Sequence, residues 1–269
     1  MSGASPMARR AGHSGTVAGA APSAVLEGHG LTFTVGGRPI IRGVDVAIRR
    51  GCVTALAGPN GSGKSTLLRL LCRLLDATTG RVLLDGADVR RLGRRDFARR
   101  VALLPQTPDM PAGVTVWDLV GFGRHPHRGL FDRFRPDDLS AMTWAVEATG
   151  LSGHRDRAVD TLSGGERQRA WIAMALAQRT GVLLLDEPTT YLDVRHQIEV
   201  LELLRGLNLR FGLTVAWVLH DLNQAAAYSD HVILLKAGRI HVEGTPRAVI
   251  TPEHVHAVFG IDAVLLAHP

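Results

Sequence analysis

Apolar residues in this chain fall into short unbroken runs, separated by clusters of Gly, Pro, Asp and Arg. Val53–Ala57, Val101–Leu104, Val182–Leu185 and residues 214–219 are almost wholly apolar. Such runs predict strands of a parallel sheet covered on both faces. Residues 31–35 and 44–48 read as shorter strands, with the turn signal Gly36-Gly37 between them. Helices are predicted over residues 66–75, from Leu162 to about Gln178, and over 136–149, the last opening on Asp137-Asp138 and closing at Gly150. From about 110 to 160 the strand signals stop. A short helix over 115–123 and a basic loop over 124–135 fill the gap, so this stretch reads as a helical insertion in an α/β core. Thr245-Pro246 and Thr251-Pro252 predict two short helices near the C-terminus. Residues 1–23, rich in Ala, Gly and Ser, predict a disordered tail and leave 24–269 as a single domain. Arg9-Arg10 is followed by Ala11-Gly12-His13-Ser14-Gly15, which is too polar for the apolar core of an export signal.

The chemistry lies just past the strands, where open α/β sheets collect ligands. Val53–Ala57 runs into Gly58-Pro59-Asn60-Gly61-Ser62-Gly63-Lys64-Ser65-Thr66, a complete G-x-x-x-x-G-K-[ST] phosphate loop. Its glycines let backbone N–H groups turn toward an anion at the start of a helix. Lys64 is expected on the β- and γ-phosphates and the Ser65 hydroxyl on Mg²⁺. Apart from Lys64 and Lys236, all 31 basic residues are Arg, so lysine is used where a compact charge suits a phosphate. Gln106 follows the strand 101–104, Asp186-Glu187 follow 182–185, and His220-Asp221 follow 214–219. Four polar groups thus land on one sheet edge.

Asp186 and Glu187 are adjacent, so alternation sends their side chains apart and gives them different tasks. Asp186 is expected to hold Mg²⁺ and Glu187 to polarise the attacking water. Pro188 is expected to keep Glu187 extended. Ser163 and Glu166 form a capping box. Gly164 and Gly165 in the same first turn weaken the helix but bare its amides, which reads as a second anion site.

Taken in order, the phosphate loop, Gln106, Leu162-Ser163-Gly164-Gly165-Glu166, Asp186-Glu187, Asp193 and His220 resemble an ATP-binding cassette ATPase of the transporter type, over residues 25 to about 260. The resemblance implies an α/β fold: a P-loop NTPase core with a mostly parallel sheet, an antiparallel β-subdomain at the N-terminus and a helical insertion. It implies a head-to-tail dimer with two ATPs between the protomers. Lys64, Ser65, Gln106, Asp186, Glu187 and His220 then contact ATP and Mg²⁺ from one side. Ser163 and Gly165 approach the γ-phosphate from the other chain, and Asp193 communicates across the interface. A groove beside the insertion takes a helix of a membrane permease. Gln106, where the insertion begins, is expected to sense both γ-phosphate and groove; residues 107–135, with Trp117, Phe122 and Phe131, are expected to form much of the contact, and Arg124 and Arg128 are expected to be exposed. Such cassettes stack an aromatic residue on the adenine. Here the aligned position is Val35, so either Phe33, two residues earlier on the same strand face, takes the place of that aromatic or apolar packing on Val35 suffices.

Residues 121–131, 171–178 and 186–208 are similar to the ATPases of iron–siderophore uptake, with haem and cobalamin importers as close relatives. The implied setting is the cytoplasmic face of the membrane. The implied partners are permease subunits and, indirectly, a substrate-binding protein, with no nucleic acid expected. Two other classes fit less well. A nucleic-acid ATPase of the same superfamily suits the basic charge, but no long heptad insertion separates Lys64 from Leu162. A phosphate-loop kinase or GTPase leaves the Leu162–Glu166 segment unexplained, and no N-K-x-D guanine reader is present.

Composition adds limits. A net charge of +6 is compatible with nucleic acid or an anionic membrane. The run Arg90, Arg91, Arg94, Arg95, Arg99, Arg100 reads equally as a solvated helix face or a lipid-facing patch. Cys52 and Cys72 belong to no C-x-x-C pair and are expected to be buried in a reducing compartment. His125 and His127 lack the further ligands a metal site needs. No apolar run is long enough to cross a bilayer.

Overall fold

A computed structural model describes residues 23–106, 112–129 and 132–266. The expected N-terminal disorder therefore lies almost wholly outside the described residues. In chain order the strands are β1 (Ala24–Val35), β2 (Arg38–Arg49), β3 (Val53–Ala57), β4 (Thr79–Leu84), β5 (Ala87–Asp88), β6 (Val101–Leu104), β7 (Val182–Leu185), β8 (Thr214–Val218), β9 (His231–Lys236) and β10 (Arg239–Gly244). The helices are α1 (Lys64–Leu71), α2 (Arg94–Ala98), α3 (Val116–Phe122), α4 (Pro136–Ala148), α5 (Gly164–Ala177), α6 (Val194–Phe211), α7 (Leu222–Tyr228), α8 (Pro246–Val249) and α9 (Pro252–Phe259).

Two sheets result. The first is antiparallel, in the order β2-β1-β4-β5. Its hairpin turns through Gly36 (φ 55°) and Gly37 (φ 78°), a left-handed conformation that glycine adopts without penalty. β1 and β2 extend well beyond 31–35 and 44–48, because a register shift between Gly28 and Leu31 interrupts the period-two pattern by which strands are recognised. The second sheet runs β10-β9-β3-β8-β7-β6, parallel except for β10.

Alternate residues of β3 enter different cores. Ala55, with Leu183, Trp217 and Leu234, packs under the helices α3 to α6; Leu56, with Leu184, Val218 and Ile233, packs on α1 and on Leu26, Ile41 and Ile48 of the antiparallel sheet. This double covering is why these strands are apolar throughout. The ladder pairs Leu56 with Val218, Trp217 with Leu185 and Leu185 with Leu104. The carboxyl ends of β3, β8, β7 and β6 are therefore level.

α1 begins two residues before the predicted start, capped by Gly63 (φ 104°), and ends at Leu71, where Arg73 (φ 58°) reverses the chain. α4 stops at Ala148 with Thr149 as its cap. α3, α4 and α5 share one apolar interior through Leu119, Met142 and Ile172. The loop entering it departs from expectation. Arg124 is 6% exposed; its Nε donates to Asp138 Oδ1 at 2.8 Å and an Nη to the Ala177 carbonyl at 2.7 Å. A guanidinium with both an ionic and a carbonyl partner is satisfied inside. Arg128 lies 3.9 Å over the Phe134 ring and donates to the Asp132 carbonyl. Neither is the free surface charge that the basic loop suggested. Trp117 is partly buried beneath Arg155, Phe122 is exposed and stacked on His125, and Phe131 lies outside the described residues. His127 is bonded to the Gln178 carbonyl at 2.8 Å.

The arginine run is not one helix face. It is divided between a 3-10 turn, Val89–Arg91, and α2. Arg90 is bound by Asp88, Arg100 by Asp85, and Arg99 by the Pro126 carbonyl. Cys72 is buried, whereas Cys52 is partly exposed. No described helix is long and apolar enough to cross a membrane.

Candidate nucleotide site

The loop after β3 is shaped by backbone contacts that only glycine permits. Gly58 has φ 147°, and a Cβ there would stand 2.2 Å from the Leu235 carbonyl oxygen; at Gly63 it would meet Ile41 Cδ1 at 2.7 Å. The Ser62 N–H donates to the Pro59 carbonyl at 3.1 Å, and the Gly238 N–H to the Ser62 carbonyl at 3.0 Å, pinning the loop to the turn after β9. Asn60 and Gly61 form its exposed crest. Lys64, 5% exposed, curls over the loop and donates to the carbonyls of Gly58 at 2.8 Å and Pro59 at 3.1 Å. Burial lowers the pKa of its ammonium, while Glu187 and Asp186 act to raise it. The Ser62 hydroxyl is buried without a partner among the described residues. A buried donor of this kind, inside a loop with a cation at its centre, fits an anionic oxygen. Thr66 follows in the first turn of α1.

The ends of β6, β7 and β8 supply the rest. Asp186, 2% exposed, accepts from the Ser65 hydroxyl at 2.6 Å on Oδ1 and faces an Nη of Arg69 at 3.5 Å on Oδ2. A buried carboxylate beside a hydroxyl is a hard oxygen pair that fits Mg²⁺. Glu187 points the other way. Its Oε2 accepts from Gln106 Nε2 at 2.5 Å and from the Thr190 hydroxyl at 3.0 Å, while His220 Nε2 lies 2.8 Å from Oε1. Asp186 and Glu187 thus divide as alternation required. Glu187 is not extended as Pro188 predicts: its φ is 56°, in the left-handed region. Proline disfavours the right-handed region at the preceding residue, and here the chain escapes to the left-handed one, held there by three partners of the carboxylate.

Ser163, Gly164, Gly165 and Asp193 are placed differently. Ser163 caps α5: its Oγ accepts from the Glu166 N–H at 3.3 Å, and its own N–H donates to Glu166 Oε2 at 2.9 Å. Gly164 is exposed, whereas Gly165 is buried against His196. Asp193, exposed, caps α6 and accepts from His196 through both the backbone N–H at 2.9 Å and Nδ1 at 2.8 Å. The hydrogen bonds of Ser163 and Asp193 stay within their own turns, apart from the cluster around Lys64 and Glu187. Val35 is 57% exposed at the end of β1, while Phe33 is partly buried against the core beneath the antiparallel sheet. Sequence reasoning passed over Thr190 and Arg69. Thr190 follows Glu187 by three residues, the spacing of a local side-chain turn; nothing local marks Arg69.

A profile of the ABC transporter family matches residues 41–190. The chain is 48% identical, over 91% of its length and 90% of the relative's, to the ferric enterobactin transport ATP-binding protein FepC of Escherichia coli (strain K12). It is 47% identical, over 89% of each chain, to the iron(3+)-hydroxamate import ATP-binding protein FhuC of Bacillus subtilis (strain 168). A solved dimeric structure of a bacterial ABC transporter cassette superposes with a TM-score of 0.71 at 26% identity, covering 82% of this chain and 99% of that one. The family profile covers more than half of the chain and these relatives match nearly all of it: this chain belongs to the ABC transporter family and is an ATP-binding ATPase of it.

Proposed function

We propose that this ATPase powers the import of iron–siderophore complexes. It works as a peripheral subunit on the cytoplasmic face of the membrane, bound to separate permease subunits that receive cargo from a substrate-binding protein. Nearly equal identity to two relatives named for different ferric chelates, an enterobactin and a hydroxamate, carries this reading. The ATPase touches neither chelate. What the two relatives share is a ferric cargo, and this chain shares nearly half its residues with each.

In this reading residues 24–269 form one cassette, with the helical insertion at about 110–160. Two copies pair head to tail. Residues 58–66 wrap the phosphates of ATP, and Lys64 neutralises the β- and γ-oxygens. Ser65, Asp186 and Gln106 would hold Mg²⁺, which when bound offsets charge on the phosphate oxygens. Glu187 orients the attacking water and accepts its proton, and His220 holds the γ-phosphate. Ser163, Gly164 and Gly165 complete the partner copy's site, with Asp193 between the two. Val35 packs on the adenine by apolar contact.

The test is uptake of radiolabelled ferric siderophore by cells lacking this chain. Wild type restores uptake, whereas Glu187→Gln, which slows hydrolysis by on the order of 10² or more, does not. Restoration of haem or cobalamin uptake with no effect on ferric siderophores would replace the cargo and leave the ATPase assignment in place.

A further inference from the structure

Two glutamines connect the segment that follows β8 to the turn that precedes α6. Gln197 lies in the first turn of α6, four residues after Asp193; Gln224 lies on α7, four residues after His220. Gln224 is 8% exposed. Its Nε2 donates to Gln197 Oε1 at 2.7 Å, and Gln197 Nε2 donates in turn to the Leu192 carbonyl at 3.0 Å. The backbone N–H of Gln224 is itself fixed by Asp221 Oδ1 at 3.2 Å. An unbroken hydrogen-bonded line therefore runs from the segment carrying His220 to the turn carrying Asp193.

That turn supports the glycines of α5 directly. Leu192 Cδ2 stands 3.6 Å from where a Cβ of Gly164 would be. The His196 ring, tied to Asp193 at 2.8 Å, fills the space a Cβ of Gly165 would need, with Cδ2 only 2.2 Å from that position. A shift of the Asp193 turn must therefore move His196 or the first turn of α5. The paired amides use donor and acceptor in a fixed order, and breaking them leaves the buried Gln224 amide short of a partner.

We infer that Gln197 and Gln224 are positioning residues for ATP hydrolysis. They transmit the placement of His220, set by the γ-phosphate this chain binds, to the Asp193 turn, and through Leu192 and His196 to the Ser163–Gly165 segment that serves the other copy's ATP. The inference rests on the head-to-tail pairing proposed above. It requires a physical linkage with two arrangements rather than mere nearness, so the test measures coupling.

Gln197→Met and Gln224→Met, singly and together in the full chain, remove the amides at nearly constant volume. Nucleotide affinity of the isolated chain stays within about twofold, kcat falls about 5- to 10-fold, and the Hill coefficient for ATP falls toward about 1. The double variant is no worse than the worse single, because one connection is being cut twice. Gln197→Glu keeps the acceptor for Gln224 but loses the donor to Leu192, and it guards against misfolding of the Met variants; it matches their loss of kcat. Unchanged kcat and Hill coefficient, losses that multiply in the double variant, or full activity of Gln197→Glu would each overturn the inference. Light scattering on Glu187→Gln with ATP separates the layers. If that variant never dimerises, the pairing falls and the linkage with it. If it dimerises while the glutamine variants turn over normally, the linkage alone is wrong.

Discussion

In the head-to-tail pairing proposed above, the phosphate-loop edge and the start of α5 both meet phosphate, and they differ in completeness. At the first, side chains from four strand ends already hold one another: Lys64 the loop carbonyls, Ser65 the Asp186 carboxylate, Gln106 and His220 that of Glu187. At the second, Ser163 and Glu166 bond each other, His154 Nε2 lies 3.1 Å from Glu166 Oε1, and Gly164 stands open. An assembled half and an open half within one chain suit the shared site proposed above, in which each copy carries the receptor for one ATP and the lid for another. Preorganisation belongs to the receptor, where phosphate chemistry needs fixed dipoles, and openness to the lid, which must dock and release.

Substitutions that damage one region and spare the other probe this contrast most strongly. Lys64→Ala loses ATP binding or γ-phosphate placement, and hydrolysis falls by on the order of 10² or more. Ser163→Arg loses hydrolysis to a similar extent, yet the isolated chain binds a fluorescent ATP analogue as wild type does; equilibrium binding measured beside ATPase rate distinguishes the two. Impaired binding in Ser163→Arg would place that turn in the chain's own site.

Loosening the frame of the lid gives a smaller effect. Asp138→Asn breaks the buried pair that anchors Arg124 between α4 and the end of α5, at a cost of about 3 kcal/mol. Burial acts to raise the Asp138 pKa, but the Arg135 N–H and the Arg124 guanidinium outweigh it and hold the carboxyl below its ordinary value. A folded-state pKa below the unfolded one stabilises the fold above the unfolded value of about 3.9 and loses that contribution as pH falls through the lowered one. The melting-temperature gap between wild type and Asp138→Asn is therefore full at neutral pH and narrows below about pH 4. A gap independent of pH would mean that the packing, rather than the charge, carries the anchor.

The smallest effect sharpens the receptor. Val35→Tyr adds a ring at an exposed strand end and tightens ATP binding several-fold, from an aromatic contribution of about 0.5–1.5 kcal/mol. Equilibrium binding of ATP against triphosphate alone checks it, since only ATP should gain.

The receptor was legible in the sequence and the lid's supports were not. Strands covered on both faces announce themselves as apolar runs, so Val53–Ala57, Val101–Leu104 and Val182–Leu185 coincide with β3, β6 and β7, and the reactive residues follow them directly. β4 escaped notice because its first three residues, Thr79, Gly80 and Arg81, are exposed and polar. The burial of Arg124 is not legible because its partners, Asp138 and Ala177, come from other helices and a basic loop gives no sign of them. The left-handed Glu187 likewise depends on Gln106, 81 residues away. Gln197 and Gln224 carry no motif; only the fold brings α6 and α7 together.

The two cysteines have a practical consequence. Burial pushes the Cys72 thiol up to about 11, and burial with the nearby Asp230 raises that of Cys52. At neutral pH very little of the Cys72 side chain is thiolate, the form that reacts with maleimides and oxidants. A cysteine introduced at an exposed position, Gly164 for instance, would ionise far more readily than either native thiol. Brief labelling of the otherwise unaltered chain would then place a fluorophore or spin probe on the lid, and its approach to the opposite receptor could be timed through each round of hydrolysis.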